Sequence, residues 1–378
     1  MLSVHHNMAG RERLSSLLRK KPTDRLSWTP LMDRQTLSRL PGRLKDITMP
    51  EFCRHLGADV FYLNGWDSPQ TFRSPEFRWP PDVKQTWTRD AKDPDLTVTR
   101  WETPRGVLTG VTRRGHPVKY PVDSLDAIRL YRSMWEGVTF AEHDDTQALQ
   151  AMNRLVGADG VVTRFWGPSA IPRLLELDMG TENFYLLFCD HPGDMDGLIR
   201  TMHERERQAF ALLASGPWES ATLCENTSTF YISPDIYETY NMPHQRDFVA
   251  AMHQAGKPAL LHMCGHVRAL LELIKETGCD GIHALTPPPT GDTLWETALD
   301  VIGEDLVILG CLDPTIWISG PLGEIGPALD RILTPRLRAA NLVLAPFADG
   351  IPVPLERFEA IRDWMQRAVM IPTRRGTG

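Results

Sequence analysis

Two stretches of this 378-residue sequence end in side chains that bind metal ions. The apolar run Pro258-Ala259-Leu260-Leu261 ends in His262-Met263-Cys264-Gly265, and Leu306-Val307-Ile308-Leu309-Gly310 ends in Cys311. A two-residue separation on an extended chain turns His262 and Cys264 to the same face. One imidazole nitrogen with two thiolates is a zinc set, and three protein ligands with a fourth position open is the catalytic form. His262, Cys264 and Cys311 are therefore the expected metal ligands, against the alternative that they are ordinary core residues. Glu225 closes the run Ala221-Thr222-Leu223-Cys224. It is read as the fourth ligand of the resting site, as a general base, or as a hydrogen-bonding residue of the following loop. Alternation then turns Cys224 the other way, into the wall of the fold. His283, the aromatic pairs Phe165-Trp166 and Phe230-Tyr231, and the polar pair Asp33 and Arg34 are the expected substrate contacts.

The elements that must position these residues follow from periodicity. Gly10 to Lys21 carries Leu14, Leu17 and Leu18 on one helical face. Leu26 to Met32 reads as a first strand, Pro50 to Leu56 as a helix and Ala58 to Leu63 as a second strand. Residues 65–120 are rich in Trp, Pro, Arg and Thr, and Val98-Thr99-Arg100-Trp101 and Val107-Leu108-Thr109-Gly110-Val111 flank Thr-Pro-Arg-Gly. That pattern predicts an inserted β-hairpin with its own small sheet. From Ser124 onward, helices are expected at 124–136, 145–155, 193–214, 236–254, 266–277, 293–302 and 355–369. Strands are expected between them at 160–165, 221–224, 259–262, 281–285, 306–310 and 342–346. Alternation at this spacing predicts parallel βα units, and the count fits a (β/α)8 TIM barrel better than an open sheet. The expected architecture is one α/β domain over 1–378, a barrel with an N-terminal extension and the hairpin insertion. Barrel enzymes build their sites at the C-terminal ends of the strands, where His262, Cys264, Cys311 and Glu225 fall.

Composition limits the function classes. A hydrophobic fraction of 42% with 24% charged residues is that of a globular chain with a sizeable core. The net charge of −7 argues against nucleic acid or an anionic membrane surface as partner. No apolar run is long enough to span a bilayer, and the charged start Met1 to Lys21 has no cleavable apolar leader, so the cytoplasm is the expected compartment. Six cysteines are too few for a disulfide scaffold and are expected as thiols or metal ligands, with Cys53, Cys189 and Cys279 in the core. Neither a dinucleotide-binding glycine fingerprint nor a P-loop is present. The tail Thr373–Gly378 reads as disordered.

Taken together, Leu260-Leu261-His262-Met263-Cys264-Gly265, Thr277-Gly278-Cys279-Asp280-Gly281-Ile282 and Gly310-Cys311-Leu312-Asp313-Pro314 resemble the uroporphyrinogen decarboxylase superfamily. The resemblance is closer to its corrinoid-dependent methyltransferase branch, whose members carry a His-x-Cys…Cys zinc motif. Gly167-Pro168, Gly180-Thr181-Glu182-Asn183-Phe184, Ser233-Pro234 and the Thr103-Pro104-Arg105-Gly106 turn agree with it. The resemblance implies a zinc-dependent methyltransferase that exchanges a methyl group with a cobalamin carried by a separate corrinoid protein. The other substrate is a small molecule, either a methoxylated or methylated donor or a thiol or tetrahydrofolate acceptor. Zinc serves such chemistry by deprotonating a bound thiol or hydroxyl, or by polarising a methoxy oxygen. The runner-up is a metal-free decarboxylase in which Arg34 and Arg39 pair with substrate carboxylates. Its late histidine is missing from Pro346-Phe347-Ala348-Asp349-Gly350, and Glu225 stands where that pattern has Asp. A silent barrel that only binds a ligand is the third reading. The direction of transfer and the oligomeric state, a homodimer included, stay open.

Overall fold

The computed structural model describes residues 8–66 and 71–368. The predicted helix end at Val369 and the tail Thr373–Gly378 lie outside them. The expected first strand is present in two pieces, Ser27–Trp28 (β1) and Leu31–Met32 (β2), broken at Thr29-Pro30 because proline has no N–H to give a ladder. Val60–Asn64 (β3) follows. The inserted region contains Glu76–Arg78 (β4), Lys84–Arg89 (β5), Leu96–Thr103 (β6), Gly106–Arg113 (β7), His116–Lys119 (β8) and Thr139–Ala141 (β9). The remaining strands are Gly160–Trp166 (β10), Ser220–Cys224 (β11), Ala259–His262 (β12), Gly281–Leu285 (β13), Val307–Leu312 (β14) and Leu342–Ala348 (β15).

The main sheet runs β1-β15-β14-β13-β12-β11-β10-β3, with β2 also on β15, and its ladders are parallel. The sheet curls until its edges meet at the lower end, where the Asp59 N–H donates to the Trp28 carbonyl (3.0 Å). This is the TIM-barrel plan expected from strand–helix alternation. Residue parity divides the sheet into two cores. Outward side chains such as Ala221, Leu223, Leu261 and Ile308 join the helix layer, while Leu63, Val161, Leu260, Leu309 and Val343 fill the interior. Leu14, Leu17 and Leu18 of the helix Gly10–Leu18 pack into that interior cluster, so the amphipathic N-terminal helix plugs the barrel bottom.

The insertion is larger than the single hairpin expected. It forms a four-stranded antiparallel sheet, β5-β6-β7-β8, and a separate β4-β9 pair. The expected turn joins β6 to β7, and a side chain closes it: Thr103 Oγ1 accepts from the backbone N–H groups of Arg105 and Gly106 (both 3.1 Å). Helices at Gly180–Asp190, Ile325–Ile332 and Pro335–Ala339 add to those expected from periodicity. No helix among the described residues is long and apolar enough to cross a membrane.

Candidate functional site

A cavity of about 330 Å3 opens at the C-terminal ends of the strands. Its walls include His262, Cys264, His283 and Cys311, with Cys224, Asn226, Phe165 and Thr286. Each arrives by strand parity. His262 ends β12 on the inward side, in register with Cys224 on β11 and His283 on β13. Cys311 is inward on β14, two residues beyond Leu309 of the interior cluster. Cys264 follows β12 in the loop, and its side chain is exposed at the cavity mouth. The expected ligands thus share one cavity. Among the described residues, however, no three His, Cys, Asp or Glu side chains stand close enough together to form a ready-made metal cage.

Burial sets the protonation of these groups. It lowers His262 to about 4 and holds His283 well below the ordinary imidazole range, with the neighbouring His262 adding to the shift. Both rings are therefore neutral. Their Nδ1 atoms lie 2.7 Å apart, so one ring must donate an Nδ1–H to the other. Burial also pushes Cys311 up to about 12 and raises Cys224 and Cys264. These thiols stay protonated at neutral pH unless a positive charge enters the cavity. The donor types suit zinc, whose charge would favour two thiolates and a neutral imidazole.

Parity also overturns two expectations. Thr222 faces inward, where its hydroxyl lies 3.1 Å from that of Thr163, so Cys224 is inward as well and Glu225 points out. Glu225 is fully buried behind the wall, where one carboxyl oxygen accepts from Gln245 Nε2 (2.7 Å) and Asn241 Nδ2 (3.3 Å). It does not line the cavity, and Cys224 does. The same rule corrects Trp166. Phe165 is inward, with its ring centroid 5.3 Å from that of His262, and Trp166 packs outside against Phe140 and Phe210. Tyr231 is close without lining the cavity. Its hydroxyl donates to the Asn226 carbonyl (2.6 Å), while the adjacent Phe230 is exposed against His266.

Sequence reasoning missed Asn226. It takes φ of +42°, a left-handed conformation that asparagine tolerates better than most residues. Its Nδ2 donates to both oxygens of Glu176 (2.9 and 3.2 Å), and its Oδ1 accepts from Cys224 Sγ at 3.5 Å. The only sequence signal was a strand ending in Glu-Asn before a Ser/Thr-rich loop. Asp33 and Arg34 line an adjoining cavity instead, and the Asp33 carboxylate caps the helix Arg34–Leu37 by accepting from the Thr36 N–H (2.7 Å). Arg39 donates to the Gly350 carbonyl at the surface (2.9 Å) and does not converge with Arg34 on the thiol cavity. Of the expected core thiols, Cys53 and Cys279 are buried and Cys189 is exposed.

The polar layer behind the wall continues from Glu225 to His244 and Glu206, whose Nε2 and Oε2 atoms are 2.8 Å apart. Burial raises Glu206 to about 8 and lowers His244 to about 4, so both groups of the pair are neutral at pH 7. A carboxyl whose folded pKa is raised holds its proton more tightly folded than unfolded. Its presence therefore weakens the fold progressively as pH rises from the ordinary carboxyl range toward 8. Glu206→Gln is expected to match the wild type near pH 4 and to exceed it near pH 8 by on the order of 4 kcal/mol. Urea midpoints at the two pH values check this; a constant difference would place the proton elsewhere.

Residues 180–366 match the family model of uroporphyrinogen decarboxylase (URO-D). Over 127 residues the chain is 28% identical to the methylcobamide:CoM methyltransferase MtbA of Methanosarcina acetivorans, an alignment covering 33% of this chain and 35% of that protein. The protein of the same name from Methanosarcina mazei matches with the same identity and shares. The alignments thus span about a third of the length of these curated relatives. A solved structure of a methyltransferase from Methanosarcina mazei superposes with a TM-score of 0.60 at 13% identity, covering 95% of this chain and 99% of that one, and so shares the fold. Residues 180–366 thus carry a uroporphyrinogen decarboxylase (URO-D) domain on a shared barrel fold, and the chain is similar over a third of its length to methylcobamide:CoM methyltransferases.

Proposed function

We propose that this protein is a methyltransferase that exchanges a methyl group between a corrinoid on a separate protein and a small substrate bound in the thiol cavity. The observation that carries this reading is the arrival of His262, Cys264 and Cys311 in the wall of one cavity at the strand ends. These three residues would hold zinc, which supplies a positive charge able to deprotonate a substrate thiol or hydroxyl or to polarise a methoxy oxygen. The chain's own groups prepare that role. For His262 to offer a lone pair on Nε2, its proton must sit on Nδ1, and the 2.7 Å contact to His283 Nδ1 fixes that tautomer if His262 donates. Phe165 lies edge-on to the His262 ring and keeps water from that side. Asn226, tied to Glu176 and to the Tyr231 hydroxyl, holds the loop between Cys224 and the cavity mouth.

The test is metal content together with methyl transfer from free methylcobalamin to a small thiol, read in the cobalamin spectrum. The expected result is about one zinc per chain and a spectral change that depends on protein. Cys264→Ser is expected to lose most of both. Zinc below about a tenth of an equivalent in the wild type, with the same value in Cys264→Ser, would remove the metal from the reading.

A further inference from the structure

Cys224 is a third thiol in the wall of the cavity, and metal binding by His262, Cys264 and Cys311 leaves it without a task. It closes β11 in register with His262, and the segments that follow the two strands stay side by side. The N–H groups of Glu225 and Asn226 both donate to the His262 carbonyl (3.1 Å each), and the Thr229 N–H donates to the His266 carbonyl (2.8 Å). The His266 N–H donates in return to Ser228 Oγ (3.2 Å). Gly265 permits this close approach, since a Cβ there would stand 2.6 Å from the Thr227 carbonyl oxygen and 2.4 Å from Ser228 Cβ. Cys264, the neighbour of that glycine, is thereby held beside Cys224. Both sulfurs lie within 4.0 Å of one atom, Asn226 Oδ1, which accepts from each. Cys311 differs, because its sulfur has the Thr286 side chain as hydrogen-bond partner.

The two thiols also differ in access: Cys264 is exposed and Cys224 is buried. An exposed thiol meets a small oxidant first, and a sheltered one within reach resolves it, as in redox-sensing cysteine pairs. We propose that Cys224 and Cys264 form a peroxide-responsive pair whose disulfide takes the Cys264 sulfur away from the metal-binding set. In the first step the Cys264 sulfur attacks one oxygen of hydrogen peroxide and the O–O bond breaks. The thiol proton joins the leaving hydroxide, which gives a sulfenic acid and one water. The Cys224 sulfur then attacks the sulfenic sulfur, the S–O bond breaks, and the departing hydroxide takes the Cys224 proton as a second water. Two thiols are oxidised and one peroxide is reduced. Both S–H contacts to Asn226 are given up as the S–S bond of ~2.0 Å forms, so this asparagine favours the reduced pair.

The test is hydrogen peroxide treatment of the full chain, stripped of metal by a chelator, followed by digestion without reductant and mass mapping. The expected product joins the peptides of Cys224 and Cys264, removes two of the six thiols from titration and returns both with dithiothreitol. Asn226→Gly keeps the left-handed backbone (φ +42°) and is expected to close the pair about threefold faster or more. Cys224→Ser is expected to yield sulfenic or sulfinic acid at Cys264 and no disulfide within the chain. A bond from Cys264 to Cys311, a bond between chains through the exposed Cys189, or overoxidation of Cys264 while Cys224 keeps its thiol overturns the proposal. None of these readouts depends on corrinoid chemistry, so the pair and the methyl-transfer reading fail separately. On zinc-loaded protein, a chromogenic chelator is expected to register one zinc for each disulfide. A disulfide that displaces no zinc overturns the pair's control of the metal.

Discussion

His262→Ala is expected to reduce methyl transfer more than 100-fold and to lower zinc content with it, because losing a direct ligand exceeds the 10–100-fold typical of losing a ligand's hydrogen-bond partner. The imidazole is inward at the end of β12 and neutral through burial, and donation of its Nδ1–H to His283 would leave Nε2 free to hold the proposed metal. His283→Phe keeps a ring in that place and removes the nitrogen partner. It should cost roughly 10–100-fold in kcat/KM and in zinc affinity, with little effect on the melting temperature. Methylcobalamin kinetics and zinc titration on the same preparations separate the two. Wild-type rates in His262→Ala would take this residue out of the chemistry.

Asp59→Ala is expected to be the most destabilising single change, at about 3–5 kcal/mol, because it leaves a buried cation without its partner. Asp59 lies just before β3 at the barrel bottom and is 3% exposed. One carboxyl oxygen accepts from Arg13 Nη1 (2.5 Å) and Arg25 Nη2 (2.9 Å), and the other from the Ser27 hydroxyl (2.7 Å). These bonds tie the N-terminal helix and β1 to the start of β3, across the seam where the sheet edges meet. Asp24, which also binds Arg13, keeps that guanidinium partly paired in the variant but reaches neither Ser27 nor the seam. Urea unfolding followed by tryptophan fluorescence measures the loss. A change below about 1 kcal/mol would mean that the charges are well hydrated in the folded protein.

Much of the fold was legible because strand and helix lengths left their marks in the apolar pattern. The expected strands from Gly160 onward fall on β10 to β15, and the expected helix at 193–214 lies within Pro192–Ser215. What the pattern left out was parity. Parallel strands buried on both faces read as continuous apolar runs, so nothing local marks which residues look inward. Hence Glu225 and Cys224 were exchanged, and Phe165 and Trp166 were read together although Phe165 alone faces the cavity. His262 was legible because His-x-Cys fixes two residues on one face regardless of which face it is. The Thr222 to Thr163 contact, which sets the β11 parity, depends on the neighbouring strand and lies outside any local window. The cavity lined by Asp33 and Arg34 was illegible for another reason, since it lies between β2 and β3, which do not pair. The four-stranded insertion was underestimated because β5 and β8 are polar and exposed, with no alternation of burial to announce them.

Among the described residues, the plug formed by Leu14, Leu17 and Leu18 closes the barrel bottom. Under the proposed methyl transfer, a small substrate and a docking corrinoid protein would both come to the strand-end mouth, and the larger partner would cover it once seated. The order of arrival would then be compulsory, with the small molecule entering first and its product leaving after the protein has stepped away.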